Sequence, residues 1–277
     1  MDRLSMRRFF SILLALLLVG GQASAKVKEP ANKAQATAPV KASMVKVPSI
    51  KERIDSFGER SRKTIKPAFQ ANDVSYPPNK MTWIALKKEK VLLLFAPNKK
   101  GKLVQVLNYP ILGTSGITGP KLKEGDKQIP EGFYKISGMR PKVIAHVGLD
   151  INYPNAEDKM HAQKEKRKTL GGDIMIHGSY WSTGCLAMGN EAIEELFTLA
   201  HDTKYGNISV LFAPCDLTTK TCNIDFQKQP KWLPGLYQRL KKEMSRYPIN
   251  ESPGSKPKNV WERVSDKYQQ SFDSIKS

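Results

Sequence analysis

The sequence predicts a mainly β fold with α additions, and three observations predict it. Three apolar or alternating runs, Thr82–Leu86, Val91–Phe95 and Leu103–Leu107, follow one another across Lys-rich or Pro-Asn-Lys-Lys-Gly breaks, the pattern of consecutive antiparallel strands. Further runs at Phe133–Ile136, Val143–Val147, Ile174–Ile176 and Ile208–Phe212 are too brief for helices. Helical spacing gathers elsewhere: Ile50, Ile54 and Phe57 precede the strands, Asn190–Phe197 interrupts them, and Leu233, Leu236, Leu240 and Met244 follow.

In chain order, Arg3, Arg7 and Arg8 stand before an apolar run from Phe9 to Val19, and Ala23-Ser24-Ala25 is a small-x-small cleavage pattern. Residues 1–25 therefore read as a secretory signal peptide, leaving no stable membrane span after cleavage and an exported protein of the periplasm or cell envelope. Residues 26–47, rich in Lys, Ala, Pro and Val without aromatics, read as a disordered linker. Residues 48–80 hold a helix expected to stop near Thr64, since Pro67 lacks an amide proton, and a connection. Residues 81–214 form the β-rich domain. Residues 215–277 form a helical extension whose second stripe, Val260, Trp261, Val264, Tyr268, Phe272 and Ile275, follows a break at Pro253–Lys258.

Of 277 residues 40% are hydrophobic and 26% charged, enough for one sizeable core. The net charge of +19 becomes +17 once the three Arg and one Asp of the leader are removed. Export argues against nucleic acid as the partner and for anionic envelope material, although such charge also serves simply to solvate a surface. Gly113–Gly132 carries five glycines and two prolines and reads as loop, with no Gly-Lys-Ser/Thr arrangement to cradle a nucleotide.

The chemistry concentrates between Asp173 and Met188. The run Ile174–Ile176 delivers His177 at a strand end, with Gly178 allowing a turn and supplying a carbonyl to orient the imidazole. Cys185 follows Gly184 just ahead of the helical pattern at Asn190. A helix start or an imidazole lowers a thiol pKa from roughly 8.5, so Cys185 is expected to be an activated nucleophile with His177 as base and then acid. The Gly184 and Cys185 amides are the expected oxyanion donors and Ser182 the residue that orders the loop. A lone Cys or His is more often a packing group; the pairing is what favours chemistry.

Cys215 and Cys222, close in sequence, are natural disulfide partners in an oxidising compartment, which leaves Cys185 unpaired. The histidines at 161 and 201 form no H-x-x-x-H pair and no C-x-x-C is present, so neither metal nor cofactor is expected. Between Asn152 and Gly172, Lys164, Lys166, Arg167 and Lys168 crowd a long connection, either a solvated run or a loop attracting substrate carboxylates. His146, facing cleft or core, and Tyr153 complete the candidate substrate contacts.

Ile-His-Gly at 176–178 followed by Ser-x-Gly-Cys at 182–185 resembles the signature of the L,D-transpeptidase family with a YkuD-like catalytic domain. Gly113, Gly119-Pro120-Lys121 and Ile129–Phe133, the last similar to a TPxGxF element with Ile129 in the Thr place, extend the resemblance. Gly148–Ala156 and Gly171-Gly172-Asp173 resemble its YafK-type branch. Thr183 and Ala187 stand where many members carry His and Arg or Asn. The resemblance spans about Thr82 to Ala213. It implies a β-sandwich or barrel catalytic domain, no cofactor, and cysteine-dependent acyl transfer on peptidoglycan stem peptides. The acyl group then goes to a second peptide, to an envelope protein linked to peptidoglycan, or to water; a peptidoglycan-binding module without catalysis is the alternative outside enzymes.

Overall fold

The computed structural model describes residues 46–219 and 222–249. The expected signal peptide, nearly all of the linker and the second C-terminal stripe lie outside them. The first element, α1 (Ile50–Ala71), opens on a capping box: the Ser49 hydroxyl accepts from the Glu52 amide at 3.1 Å and the Glu52 carboxylate accepts from the Ser49 amide at 2.6 Å. The helix does not stop near Thr64 as expected but passes through Pro67. Ile65, Ala68 and Phe69 are buried against the core, and that packing holds the last turn despite the lost amide.

Eight strands follow: β1 (Met81–Leu86), β2 (Val91–Pro97), β3 (Leu103–Pro110), β4 (Gly132–Val143), β5 (His146–Ile151), β6 (Met175–His177), β7 (Leu186–Ala187) and β8 (Ile208–Ala213). Helices α2 (Ala156–Lys164), α3 (Asn190–Thr203) and α4 (Leu233–Met244) complete the set. The strands make one mixed sheet in the order β3-β2-β1-β8-β4-β5-β6-β7, with β1–β8 and β6–β7 parallel.

The expected mainly β core with flanking helices is present, without closure into a barrel. Strand β4 links its two parts, pairing with β8 through Gly132–Lys135 and with β5 from Ile136 onward, where the register shifts. The two edges approach each other at one bridge, between Gly113, just past β3, and Ala187 of β7.

Both faces of the sheet centre are covered. In β1, Trp83 and Ala85 join the cluster containing Phe57, Phe69, Leu196 and Phe197 of α1 and α3. Ile84 and Leu86 join Leu236, Tyr237, Leu240 and Met244 of α4. Burial on both sides is why the strand reads as an unbroken apolar run. The expected strand Val143–Val147 is instead a hairpin apex: Val143 pairs with His146 across Ile144-Ala145, and Ile144 is 96% exposed. The expected open connection from Asn152 contains α2, started by a capping box between Asn155 and Asp158.

Candidate active site

Strand β6 places His177 at its end, and β7 runs beside it in parallel with Ile176 opposite Leu186 and His177 opposite Ala187. One step back in that register sets Cys185 beside Met175, whose amide donates to Sγ at 3.4 Å while Sγ donates to the Asp173 carbonyl at 3.4 Å. Residues two apart on a strand share a face, so the thiol and the imidazole lie on the same side of the sheet edge.

His177 is buried, and its Nδ1 lies 2.7 Å from the Gly178 carbonyl. A carbonyl only accepts, so Nδ1 carries the proton and Nε2 keeps its lone pair. Burial pushes the imidazole pKa below its ordinary value, only partly offset by the Gly178 bond, and keeps the ring neutral. Gly178 is required by packing: a Cβ there would sit 2.5 Å from the Ala145 carbonyl oxygen and 2.6 Å from Asn190 Oδ1. Asn190 Oδ1 also accepts the Ser179 amide at 3.0 Å, tying the loop after His177 to the start of α3. On that loop Trp181 lies with its ring 6.1 Å from the His177 ring.

Cys185 does not sit at a helix start. β7 intervenes, α3 begins at Asn190, and burial pushes the thiol pKa up rather than down. Asp173 raises it further; the Met175 amide, Lys121 and Arg140 act the other way. The resting group is a protonated thiol needing a base.

The two amides expected as oxyanion donors are engaged. The Gly184 amide donates to Ser115 Oγ at 2.6 Å, and the Cys185 amide to Ser182 Oγ at 2.9 Å. Ser182 Oγ donates in turn to the Cys185 carbonyl at 2.6 Å, closing the loop on itself. Ser115 Oγ donates to the Lys127 carbonyl at 2.8 Å. Ser115 lies 69 residues before Gly184, and no local pattern marked it.

A cavity of about 300 Å³ adjoins the Cys185 loop, lined by Lys121, Glu124, Lys127, Asp173, Ile174 and Thr183 among others. The buried Lys121 ammonium pairs with Asp126 at 2.7 Å. Among the described residues no group of three or more His, Cys, Asp or Glu could hold a metal ion, and no helix is long and apolar enough to cross a membrane.

The other candidates sit elsewhere. The His146 imidazole meets Glu194 of α3 at 2.8 Å and packs near Phe57, so it is held by helices rather than offered to the thiol. Tyr153 is buried and its hydroxyl donates toward the Leu170 carbonyl at 3.2 Å, a bracing role rather than an exposed contact. Of the basic run, Arg167 and Lys168 line a second cavity; Lys164 and Lys166 are exposed and do not. Cys215 and Cys222 are bonded as a disulfide with their Cα atoms 5.7 Å apart, and Cys185 is free.

The site is thus set in a mixed sheet flanked by helices, with the histidine at the end of β6 and the free cysteine just ahead of the edge strand β7. Residues 81–210 match the YkuD family, the L,D-transpeptidase catalytic domain. The chain is 38% identical over 114 residues to YafK of Escherichia coli, both of strain K12 and of O157:H7, described as a candidate L,D-transpeptidase. The match covers 40% of this chain and 43% of each relative, so it spans less than half the length of either. Among solved structures, the helical cell shape determining protein Pgp2 of Campylobacter jejuni overlaps 49% of this chain and 48% of its own at 22% identity and TM-score 0.40. Bd1075 of Bdellovibrio bacteriovorus overlaps 60% and 55% at 22% identity and TM-score 0.37. Likeness of that degree carries no functional argument.

Proposed function

We propose that the chain is an exported cysteine enzyme that cleaves an amide bond of peptidoglycan stem peptides through a Cys185 acyl-enzyme. What supports this reading is a free thiol on the same face of the sheet as a neutral imidazole whose Nε2 keeps its lone pair because Nδ1 is bonded to the Gly178 carbonyl. In the first step Sγ bonds to the substrate carbonyl carbon as its proton passes to His177 Nε2. The C–N bond then breaks, and Nε2 returns the proton to the leaving amine. A water attacks the thioester carbon, giving a proton to Nε2; the C–S bond then breaks, Nε2 returns that proton to Sγ, and the acid leaves as carboxylate with its second proton lost to solvent.

The Gly184 and Cys185 amides serve the oxyanion once substrate displaces the two serine hydroxyls that now occupy them. Water is the acceptor in this reading, since hydrolysis asks for one peptide only at the Cys185 loop, which a cavity of about 300 Å³ adjoins at Thr183. Transfer to a second stem peptide or to the lysine of an envelope protein uses the same acyl-enzyme.

The test is mass analysis of purified muropeptides incubated with the full chain. Hydrolysis yields shortened stems with wild type and none with Cys185→Ala. Cross-linked products would move the assignment to transfer, and products made equally by Cys185→Ala would overturn the mechanism.

A further inference from the structure

We propose that α3 sets the aim of His177 from behind: Asn190 and, one turn on, Glu194 acting through His146 are positioning residues that hold the Gly178 peptide plane. Asn190 and Glu194 stand four apart, and so on one face of the helix. With His177 as the base, the role on which this rests, that plane decides which ring nitrogen is left basic.

The peptide joining Gly178 to Ser179 is a rigid plane with two polar ends. Its carbonyl accepts from His177 Nδ1 at 2.7 Å and its amide donates to Asn190 Oδ1 at 3.0 Å, so the asparagine fixes the tilt that the imidazole follows. Hairpin residues close the other side. The Gly178 amide donates to the Val147 carbonyl at 3.3 Å, and a Cβ on Gly178 would lie 2.5 Å from the Ala145 carbonyl oxygen and 3.1 Å from His146 Cβ. With so little space between them, a shift of the hairpin tip moves Gly178.

His146 is what holds that tip. Its φ of 84° is one that residues other than glycine rarely adopt, and such a conformation persists where the surroundings impose it. Two helices do so here: Nε2 meets Glu194 Oε1 at 2.8 Å, and the Phe57 ring of α1 lies 6.1 Å from the imidazole ring. Burial alone would raise the Glu194 pKa, but hydrogen bonds from His146 and Arg60 hold the carboxyl below its ordinary value, an ionised acceptor for Nε2–H. The hairpin's strands are anchored separately, by Arg53 Nε donating to the Pro141 carbonyl at 2.7 Å. Loss of the His146 bond thus frees the tip beside Gly178 without undoing the β4–β5 ladder.

The experiment reads the His177 tautomer from the imidazole nitrogen resonances of the full chain without substrate, above pH 6.5 where the buried ring is neutral, and measures muropeptide kcat and KM alongside. Wild type should show one form, protonated at Nδ1. His146→Gly, in which glycine takes the positive φ freely, and Asn190→Ala should each show both tautomers, with kcat down about tenfold and KM within about twofold. Glu194→Leu should match His146→Gly, and Glu194→Gln, which keeps an acceptor for Nε2–H, should restore most of the loss. Arg60→Ala, which removes the carboxylate's other partner, should keep the single tautomer. A single Nδ1–H tautomer in His146→Gly or Glu194→Leu protein with a native amide spectrum would overturn the positioning role. Mixed tautomers with undiminished turnover would instead overturn the base role of His177 and leave the positioning standing.

Discussion

Ser115 and Gly184 are joined by a 2.6 Å hydrogen bond in which the serine oxygen accepts the amide next to the nucleophile. The same hydroxyl donates to the Lys127 carbonyl at 2.8 Å, so one side chain fastens the Gly113–Gly132 loop to the Cys185 turn. Ser115→Ala removes both bonds, worth about 1 kcal/mol net apiece. Stability to urea should fall by about 1–2 kcal/mol. Turnover of muropeptides should rise by up to about fivefold in kcat with KM within twofold, since the Gly184 amide no longer has to be freed from the hydroxyl before it serves the oxyanion. Unchanged kcat would mean that the bond only packs the loop.

That contact shows where sequence reading stops. The strands were legible because burial on both faces of β1, β2 and β8 leaves uninterrupted apolar runs. His177, Gly178 and Cys185 were legible because they form one short motif. Helix α2 was missed because Ala162 is its one buried residue and no apolar stripe exists; its signal was the Asn155-x-x-Asp158 cap. The hairpin at Ile144-Ala145 was taken for strand because its apex is apolar yet exposed. Ser115, like the Lys121–Asp126 pair that braces its loop, acts through tertiary contact, which leaves no period in the sequence.

Arg62 of α1 grips Asp202 of α3 with two bonds of 2.7 Å, and the Tyr76 hydroxyl donates to the same carboxylate at 2.7 Å. Burial alone would raise the Asp202 pKa, but hydrogen bonds from Arg62, His201 and Tyr76 hold it down at about 2. A depressed carboxylate contributes stability that is present above its ordinary 3.8 and lost as pH falls through about 2. The contribution is up to about 2 kcal/mol. Urea melts of wild type should therefore weaken between about pH 4 and pH 2, and Asp202→Asn should flatten that slope. A slope unchanged by the substitution would assign acid sensitivity to other carboxylates.

The thiol and imidazole are shifted in opposite directions by the same cause. Burial moves Cys185 above its ordinary 9.0 and His177 below its ordinary 6.5. The thiol's contribution to stability is thus complete below 9.0 and lost as pH rises past it, while the imidazole's is complete above 6.5 and lost as pH falls below it. Iodoacetamide labelling of Cys185 should be slow at pH 7 and climb through an inflection above 9. An inflection near neutrality would reveal a resting thiolate–imidazolium pair and reverse the order of proton transfer proposed above.

The strictest test of the site's construction alters no reacting group. A methyl on Gly178 would meet the Ala145 carbonyl at 2.5 Å and Asn190 Oδ1 at 2.6 Å, one of them backbone of the β4–β5 hairpin and so unable to step aside cheaply. The strain must pass into the 177–179 turn, which holds both the carbonyl that sets the His177 tautomer and the amide bound by Asn190. Gly178→Ala should cost about 2–4 kcal/mol of stability. Muropeptide turnover should fall at least a hundredfold because Nε2 loses its aim. Alkylation of Cys185 should proceed at the wild-type rate above pH 9, since the thiol's own surroundings, Met175 and Asp173, are untouched. Full turnover in a folded Gly178→Ala protein would remove His177 from the base's role, because an imidazole free to turn on a displaced backbone could not hold the proposed geometry.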